Sequence, residues 1–150
     1  MPDRANSQIA AALTVLTDLG MPRAQRNERS ALCLLALLEV TSGKAWSEAN
    51  SPLMGITPIM DWVQQQYGKQ YAPNTRETFR RQTMHQFVQA GIALYNPDSP
   101  SRPVNSPRAV YQIAPECLSL LRCYGNETYH QRIADYLVKR ESLRRHVKIS

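Results

Sequence analysis

Asn74-Thr-Arg-Glu-Thr-Phe-Arg-Arg-Gln-Thr-Met-His-Gln-Phe-Val-Gln-Ala-Gly91 reads as one helix with its own start and stop signals. Asn74 follows Pro73 and is a strong N-cap residue, because its side-chain oxygen accepts an orphan backbone N–H of the first turn. Glu77, three residues on, completes a capping-box spacing, and Gly91 suits the position just past a helix end. Phe79, Thr83, Phe87 and Ala90, with Met84 and Val88 beside them, recur every three or four residues and form one stripe. Thr78, Arg81, Gln82, His85 and Gln89 lie away from that stripe, and Arg76 and Arg80 sit on its boundary. Long donors and amides on a solvent face are what major-groove reading requires, Arg bidentate to guanine and Gln or Asn bidentate to adenine. A solvated surface helix with no ligand uses the same residue types, so the neighbouring segments have to decide.

A length of 150 residues suits one domain, or one domain with an appended helical piece. Hydrophobic content of 43% suffices for a core, and a net charge of +6 with pI near 9.5 favours a polyanionic partner. Cys33, Cys117 and Cys123 are an odd number without metal-type pairing, which points to a reducing cytoplasm and no disulfide framework. The N-terminal residues do not have the form of a signal peptide. The apolar run from Leu32 to Val40 is too short to span a membrane and contains Glu39, so no membrane partner is expected.

Before the opening stretch, Ser7 is placed to cap a helix from Gln8 to Leu19 that Gly20 ends. A second helix is expected from about Ala24 or Asn27 to Val40. Its later turns, Ala31 to Leu38, are apolar nearly all round, as in a helix enclosed at the centre of a core. Residues 41–52 form a loop, in which Trp46 holds a short strand or fills a core edge, the latter fitting better than stacking on a base. Thr57 is placed to cap a third helix with Pro58 at its first position, and Gly68 stops it. The connector 68–73 matches a helix-turn-helix turn in length, though it exceeds the tightest form.

After Gly91 the period changes from 3.6 to 2, so Ile92 to Tyr95 is a short strand. Residues 96–108 carry four prolines and two arginines, Arg102 and Arg108, and Val110 to Ile113 returns as a second strand. A hairpin directly after a basic helix is the wing of a winged helix. The order helix, loop, helix, turn, helix, strand, loop, strand predicts a mainly α fold: a winged helix-turn-helix with a short β-hairpin wing and extra N- and C-terminal helices. The expected divisions are an N-terminal helix (1–20), the winged helix-turn-helix (21–114) and a C-terminal helical extension (115–150). That extension holds helices from Glu116 to Tyr124 and from about Asn126 or Glu127 towards Val147. The last has the stripe Ile133, Tyr136, Leu137, Leu143 and Val147, and a basic end of Lys139, Arg140, Arg144, Arg145 and Lys148. Dipole complementarity at a helix C-terminus accounts for those cations better than a phosphate contact.

Catalytic patterns are not found. A nuclease of the commonest restriction fold needs one carboxylate and then a second two residues before a lysine, to hold Mg²⁺ against the reacting phosphate. None of the twelve Asp and Glu residues has Lys two positions later, although Pro97-Asp98 resembles the start of that motif. His85, His130 and His146 are scattered, with no Cys or carboxylate at metal spacing. No Gly-rich phosphate loop follows a strand. The residues describe a binding module.

Tyr67-Gly-Lys-Gln-Tyr-Ala-Pro-Asn-Thr-Arg-Glu-Thr-Phe-Arg-Arg-Gln-Thr-Met-His-Gln-Phe-Val-Gln-Ala90 resembles the most characteristic segment of the N-terminal domain of PstI/BsuBI-type II restriction endonucleases. Asn27-Glu-Arg-Ser30 with the Leu-Leu-Ala-Leu run, Trp46-Ser-Glu-Ala49, Pro52-Leu53, Pro58-Ile-Met60, and Pro100-Ser-Arg102 with Asn105-Ser106 fit the same domain, from about Leu19 to Leu143. The resemblance implies a helix-turn-helix DNA-binding domain of an enzyme that recognises the palindrome CTGCAG and cleaves both strands with Mg²⁺. The nuclease carboxylates of such enzymes lie in a C-terminal domain that nothing here matches, so no cofactor is expected in this chain.

On this basis helix 74–90 is expected to enter the major groove of double-stranded DNA. Arg81, Gln82 and His85 are assigned to base edges, with Asn74 and Thr78 near the N-terminal end. Arg76 and Arg80 are assigned to phosphates, which position a domain without specifying sequence. Arg102 and Arg108 of the wing are assigned to the backbone or an adjacent minor groove. For each arginine the alternative is solvent exposure or an internal ion pair, such as Arg76 or Arg80 with Glu77 or Asp61. A palindromic target is consistent with a homodimer. A free-standing winged-helix transcription regulator has the same fold and charge and is the alternative function.

Overall fold

The central helix starts at Asn27, whose side-chain oxygen accepts the Ser30 N–H at 2.8 Å, satisfying a donor that the first turn leaves orphaned. Helix α2 then runs Glu28–Leu38. The start agrees with Asn27, the later of the two expected, since Arg23–Gln25 forms a separate 3-10 turn; the helix stops short of Val40 because Glu39 adopts the left-handed conformation, φ 51°. All residues from Ser30 to Leu38 are buried, so the helix must be enclosed on every side. Helices α1 (Pro2–Asp18) and α3 (Ile56–Tyr67), the middle of the helix that carries the stretch 74–91, and the strand Tyr111–Ile113 enclose it. The computed structural model describes the backbone of residues 2–103 and 106–149 and the side chains of residues 4–103 and 106–143.

The starts of α1 and α3 differ from expectation. Ser7 lies inside α1 and does not cap it, since Pro2 is tolerated in a first turn and lets the helix begin earlier. Helix α3 begins one residue before Thr57, with Gly55 at its N-cap and no side-chain cap. Thr57 and Pro58 therefore fall in the first turn, where the missing proline N–H has no helical partner to lose. The stops behave as expected: Gly20 and Gly68 take φ of 79° and 67°.

After the helix of residues 76–89 (α4), strand β1 (Ala93–Tyr95) pairs antiparallel with β2 (Tyr111–Ile113), placing Ala93 opposite Ile113 and Tyr95 opposite Tyr111. Met54 adds an isolated bridge on the other side of β2, its N–H donating to Tyr111 O at 2.9 Å and its carbonyl accepting from Tyr111 N at 2.8 Å. This is the winged helix-turn-helix: α2, α3 and α4, then the hairpin. Trp46 fills a core edge, with its ring 5.0 Å from that of Tyr124 and its Nε1 donating to Gln8 at 2.8 Å.

Helix α5 (Pro115–Leu121) ends three residues before Tyr124, and α6 spans Tyr129–Ile149. Tyr129 Oη donates to Asp18 at 2.9 Å and ties α6 to α1. Ile9 of α1, the α2 residues, Leu120 of α5 and Ile133 of α6 all belong to one apolar core. Of the expected α6 stripe, Ile133 is buried but Leu143 is 59% exposed. Asn105, and the side chains of Arg144, Arg145, His146, Val147 and Lys148, lie outside the described residues. The three cysteines are free thiols. Burial pushes the Cys33 thiol well above its ordinary value and Cys117 up to about 12. No described helix is long and apolar enough to cross a membrane.

Candidate nucleic-acid interface

Helix α4 does not begin at an Asn74 cap. Pro73–Thr75 folds as a 3-10 turn, and the Thr75 hydroxyl donates to Ala72 O. The α-turn starts at Arg76 without a side-chain cap, so Asn74 is exposed one turn earlier and Glu77 has no cap to complete.

The middle of α4, Phe79–Met84, is wound as a π-helix. The buried side chains supply a reason. Phe79, Thr83 and Phe87 all have zero exposure and are spaced strictly by four residues. In an α-helix each four-residue step overshoots a turn by about 40°, so Phe87 would stand about 80° round from Phe79. Wider turns return all three to one face. Phe79 packs edge-on against Tyr71 at 4.9 Å. Thr83 Oγ1 accepts from Arg29 Nε of α2 at 2.9 Å, a polar bond that holds the π-wound segment to the core. Gln86 Nε2 reaches back to Arg81 O at 3.4 Å. π-Turns inside α-helices frequently mark functional segments.

The winding leaves a polar face. Asn74, Arg76, Arg81, Gln82 and Gln89 are exposed, whereas Thr78 and His85 are half-buried. The His85 ring lies 6.1 Å from that of Tyr95 on β1, at the junction of helix and wing. Arg80 is 22% exposed and bonds to Glu77 through Nε at 3.0 Å and Nη2 at 3.1 Å. Arg81, 73% exposed, pairs with the same carboxylate through Nε at 3.1 Å. Arg80's hydrogen bond, reinforced by the charge of both arginines, holds the Glu77 carboxyl below the usual carboxylate range. Among the described residues Arg76 has no ion-pair partner; Asp61 does not supply one.

Arg76, Glu77 and Arg80 line a cleft of about 230 Å³ whose opposite wall is Tyr95, Ser106 and Tyr111 of the wing. The Tyr111 hydroxyl is buried there without a hydrogen-bond partner among the described residues, and burial pushes it up to about 12.

The two wing arginines behave differently. Arg108 is exposed. Arg102 turns inward, with Nη1 and Nη2 on the two Asp98 oxygens at 3.1 and 2.9 Å and Nη1 also on Asn96 Oδ1 at 2.8 Å. Asn96 is buried with φ 50°, and its Oδ1 also accepts from Val110 N at 2.9 Å. Arg102 thus closes the base of the wing. The hydrogen bond between them holds Asp98 low and raises Arg102.

The ion pair weighed as the alternative for Arg80, with Glu77, is formed, whereas Arg29 was not among the residues singled out from the sequence. Glu77 carried a signal, since carboxylate and cation three and four apart on a helix face one another. Arg29 carried none, as it stands 54 positions from Thr83.

Comparison with known proteins places this geometry. The family model described as "BsuBI/PstI restriction endonuclease HTH domain" matches residues 6–145. The chain is 58% identical over 143 residues to the type II restriction enzyme BsuBI of Bacillus subtilis, covering 95% of this chain and 45% of that one. It is 37% identical over 150 residues to the type II restriction enzyme AplI of Arthrospira platensis, covering 93% and 46%. The solved SdaI restriction endonuclease superposes with a TM-score of 0.81 at 33% identity, over 89% of this chain and 44% of that one. The chain spans just under half the length of the curated relatives it matches.

Proposed function

The chain belongs to the BsuBI/PstI restriction endonuclease HTH domain family, and from that premise we propose that it is the target-recognition domain of a type II restriction endonuclease. The observation that carries the reading is the two-sidedness of α4. Phe79, Thr83 and Phe87 are fully buried, while Arg76, Arg81 and Gln82 are exposed, and Arg76 lines the cleft shared with the wing. Arg81 and Gln82 have the donor geometry for guanine and adenine edges. Arg76, and Arg80 once it leaves Glu77, contact phosphates and fix the register. Arg108 of the wing meets the backbone. Arg102 acts by holding the wing's shape.

The proposed target is double-stranded DNA containing CTGCAG. Among the described residues no three His, Cys, Asp or Glu side chains gather as a metal site, so no Mg²⁺-dependent cutting step is assigned to them. The cutting chemistry is placed in a part of the longer enzyme that these residues do not include. The palindrome calls for two copies related by a two-fold axis, and sedimentation of the chain at several concentrations measures whether these residues supply that contact. The decisive experiment titrates a CTGCAG duplex and a scrambled duplex at two salt concentrations. Tighter binding of the first, with affinity for both falling steeply with salt, is expected. Absence of any salt-dependent affinity for either duplex rejects the proposal.

A further inference from the structure

Helix α4 presents to the proposed DNA surface a carboxylate as well as cations. Glu77 is 60% exposed on the first turn of α4 and accepts from Arg80 at 3.0 and 3.1 Å and from Arg81 at 3.1 Å. It occupies the position on these two guanidinium groups that a phosphate would take: an anion with two oxygens, one of them shared between the arginines. Oxyanions of either kind are bound by arginine with the same fork geometry. Arg80 and Arg81 cannot give those donors to DNA and keep them on Glu77 at once. A duplex that takes Arg81 Nε, or Nε and Nη2 of Arg80, must first release the carboxylate, then leave it facing a polyanion. That cost is present for every sequence. It is offset only where the duplex offers a donor, and in the major groove a free carboxylate finds one in the exocyclic amino group of cytosine.

We propose that Glu77 is a specificity-determining residue: an internal anion that withholds Arg80 and Arg81 from random DNA and is satisfied by a cytosine amino group at the preferred site. The inference rests on the DNA-binding reading above. It differs from a purely structural role in the sign of its effects. A carboxylate that merely braces the arginines would, on removal, weaken all duplexes together. A withholding carboxylate would, on removal, strengthen random binding while weakening the preferred site.

The test uses the full chain, wild type, E77Q and E77A. Selection from randomised duplexes by the wild type defines the preferred site, and the three proteins are then titrated with that site and with a scrambled duplex at two salt concentrations. For both variants the affinity for scrambled DNA is expected to rise about two- to fivefold, the scale of one exposed ion pair, with a steeper salt dependence. For E77A the affinity for the preferred site falls, and repeating the selection removes one cytosine preference. E77Q, which keeps the shape and an acceptor oxygen, separates loss of charge from loss of side chain, and thermal melts show whether each variant is folded. An unchanged ratio of preferred to scrambled affinity in folded E77Q and E77A overturns the inference and leaves the DNA-binding reading intact. A parallel weakening on both duplexes also overturns it. A wild-type chain with no salt-dependent affinity for any duplex removes the functional reading itself.

Discussion

Helices α2 and α4 lie against each other and are built on opposite terms. In α2 nine consecutive residues, Ser30 to Leu38, are buried after a side-chain cap at Asn27. In α4 no side chain caps the start, the middle is π-wound, and the outward face carries Arg76, Glu77, Arg81 and Gln82. The first helix gains nearly everything from packing. The second is fastened by a few buried groups, Phe79, Thr83, Met84 and Phe87, and departs from regular winding to keep them inward. The element that stabilises the fold and the element proposed to meet the ligand are thus separable, and substitutions can pull them apart.

The largest effect should come from α2. Leu35→Ala removes a fully buried side chain and should lower stability by about 2–5 kcal/mol, measured as a shift of the urea midpoint; discrimination by the remaining folded fraction should not change. Next is the opposite case. Arg81→Ala should cost about 1–3 kcal/mol on the preferred duplex without moving the melting temperature, and equal losses on preferred and scrambled duplexes would remove its base-reading role. A melting shift as large as that of Leu35→Ala would dissolve the contrast between the helices. Asn27→Ala deletes the α2 cap and should cost about 1 kcal/mol of stability, again with binding unaffected once folded; calorimetry reads this directly. Arg80→Ala should weaken the preferred duplex and reduce the slope of log affinity against log salt there by about 0.9, with a smaller effect on scrambled DNA, from which Glu77 withholds this guanidinium. The smallest change is expected at Arg102, which is already engaged by Asp98 and Asn96. Arg102→Ala should reduce duplex affinity less than Arg108→Ala does, and the reverse order in a filter-binding titration would move Arg102 from wing brace to DNA contact.

Much of this contrast was legible in residue patterns. The continuous apolar run identified α2 as enclosed, Gly20, Gly68 and Gly91 marked the helix stops, and the change of period after Gly91 announced the wing. Helix starts were harder. Ser7, Thr57 and Asn74 all have capping side chains, yet each was outbid by an alternative local geometry: an earlier start, a proline-compatible first turn, and a 3-10 turn over Pro73–Thr75. The strict four-residue spacing of Phe79, Thr83 and Phe87 did signal under-winding, but such spacing passes for ordinary helical periodicity unless its drift is added up. Arg102 showed its i,i+4 partner Asp98 in the sequence; what pattern alone could not supply was Asn96, whose left-handed backbone brings its oxygen under the guanidinium. The Arg29–Thr83 bond joins residues that only the assembled core brings together.

The π-wound turn gives α4 an unusual relation to changes in chain length. Removing one residue between 79 and 84 would favour ordinary winding, in which five residues at about 100° each cover nearly the arc that six cover in the wider turns, so the Arg76–Glu77 and His85–Gln89 ends would keep their relative orientation while the side chains between them change. A single lost codon would thus remove one member of the polar face between anchors, Phe79 and Phe87, that stay inward. Sequence preferences selected by such a deletion variant would show whether target choice in this helix can change through length as well as through substitution.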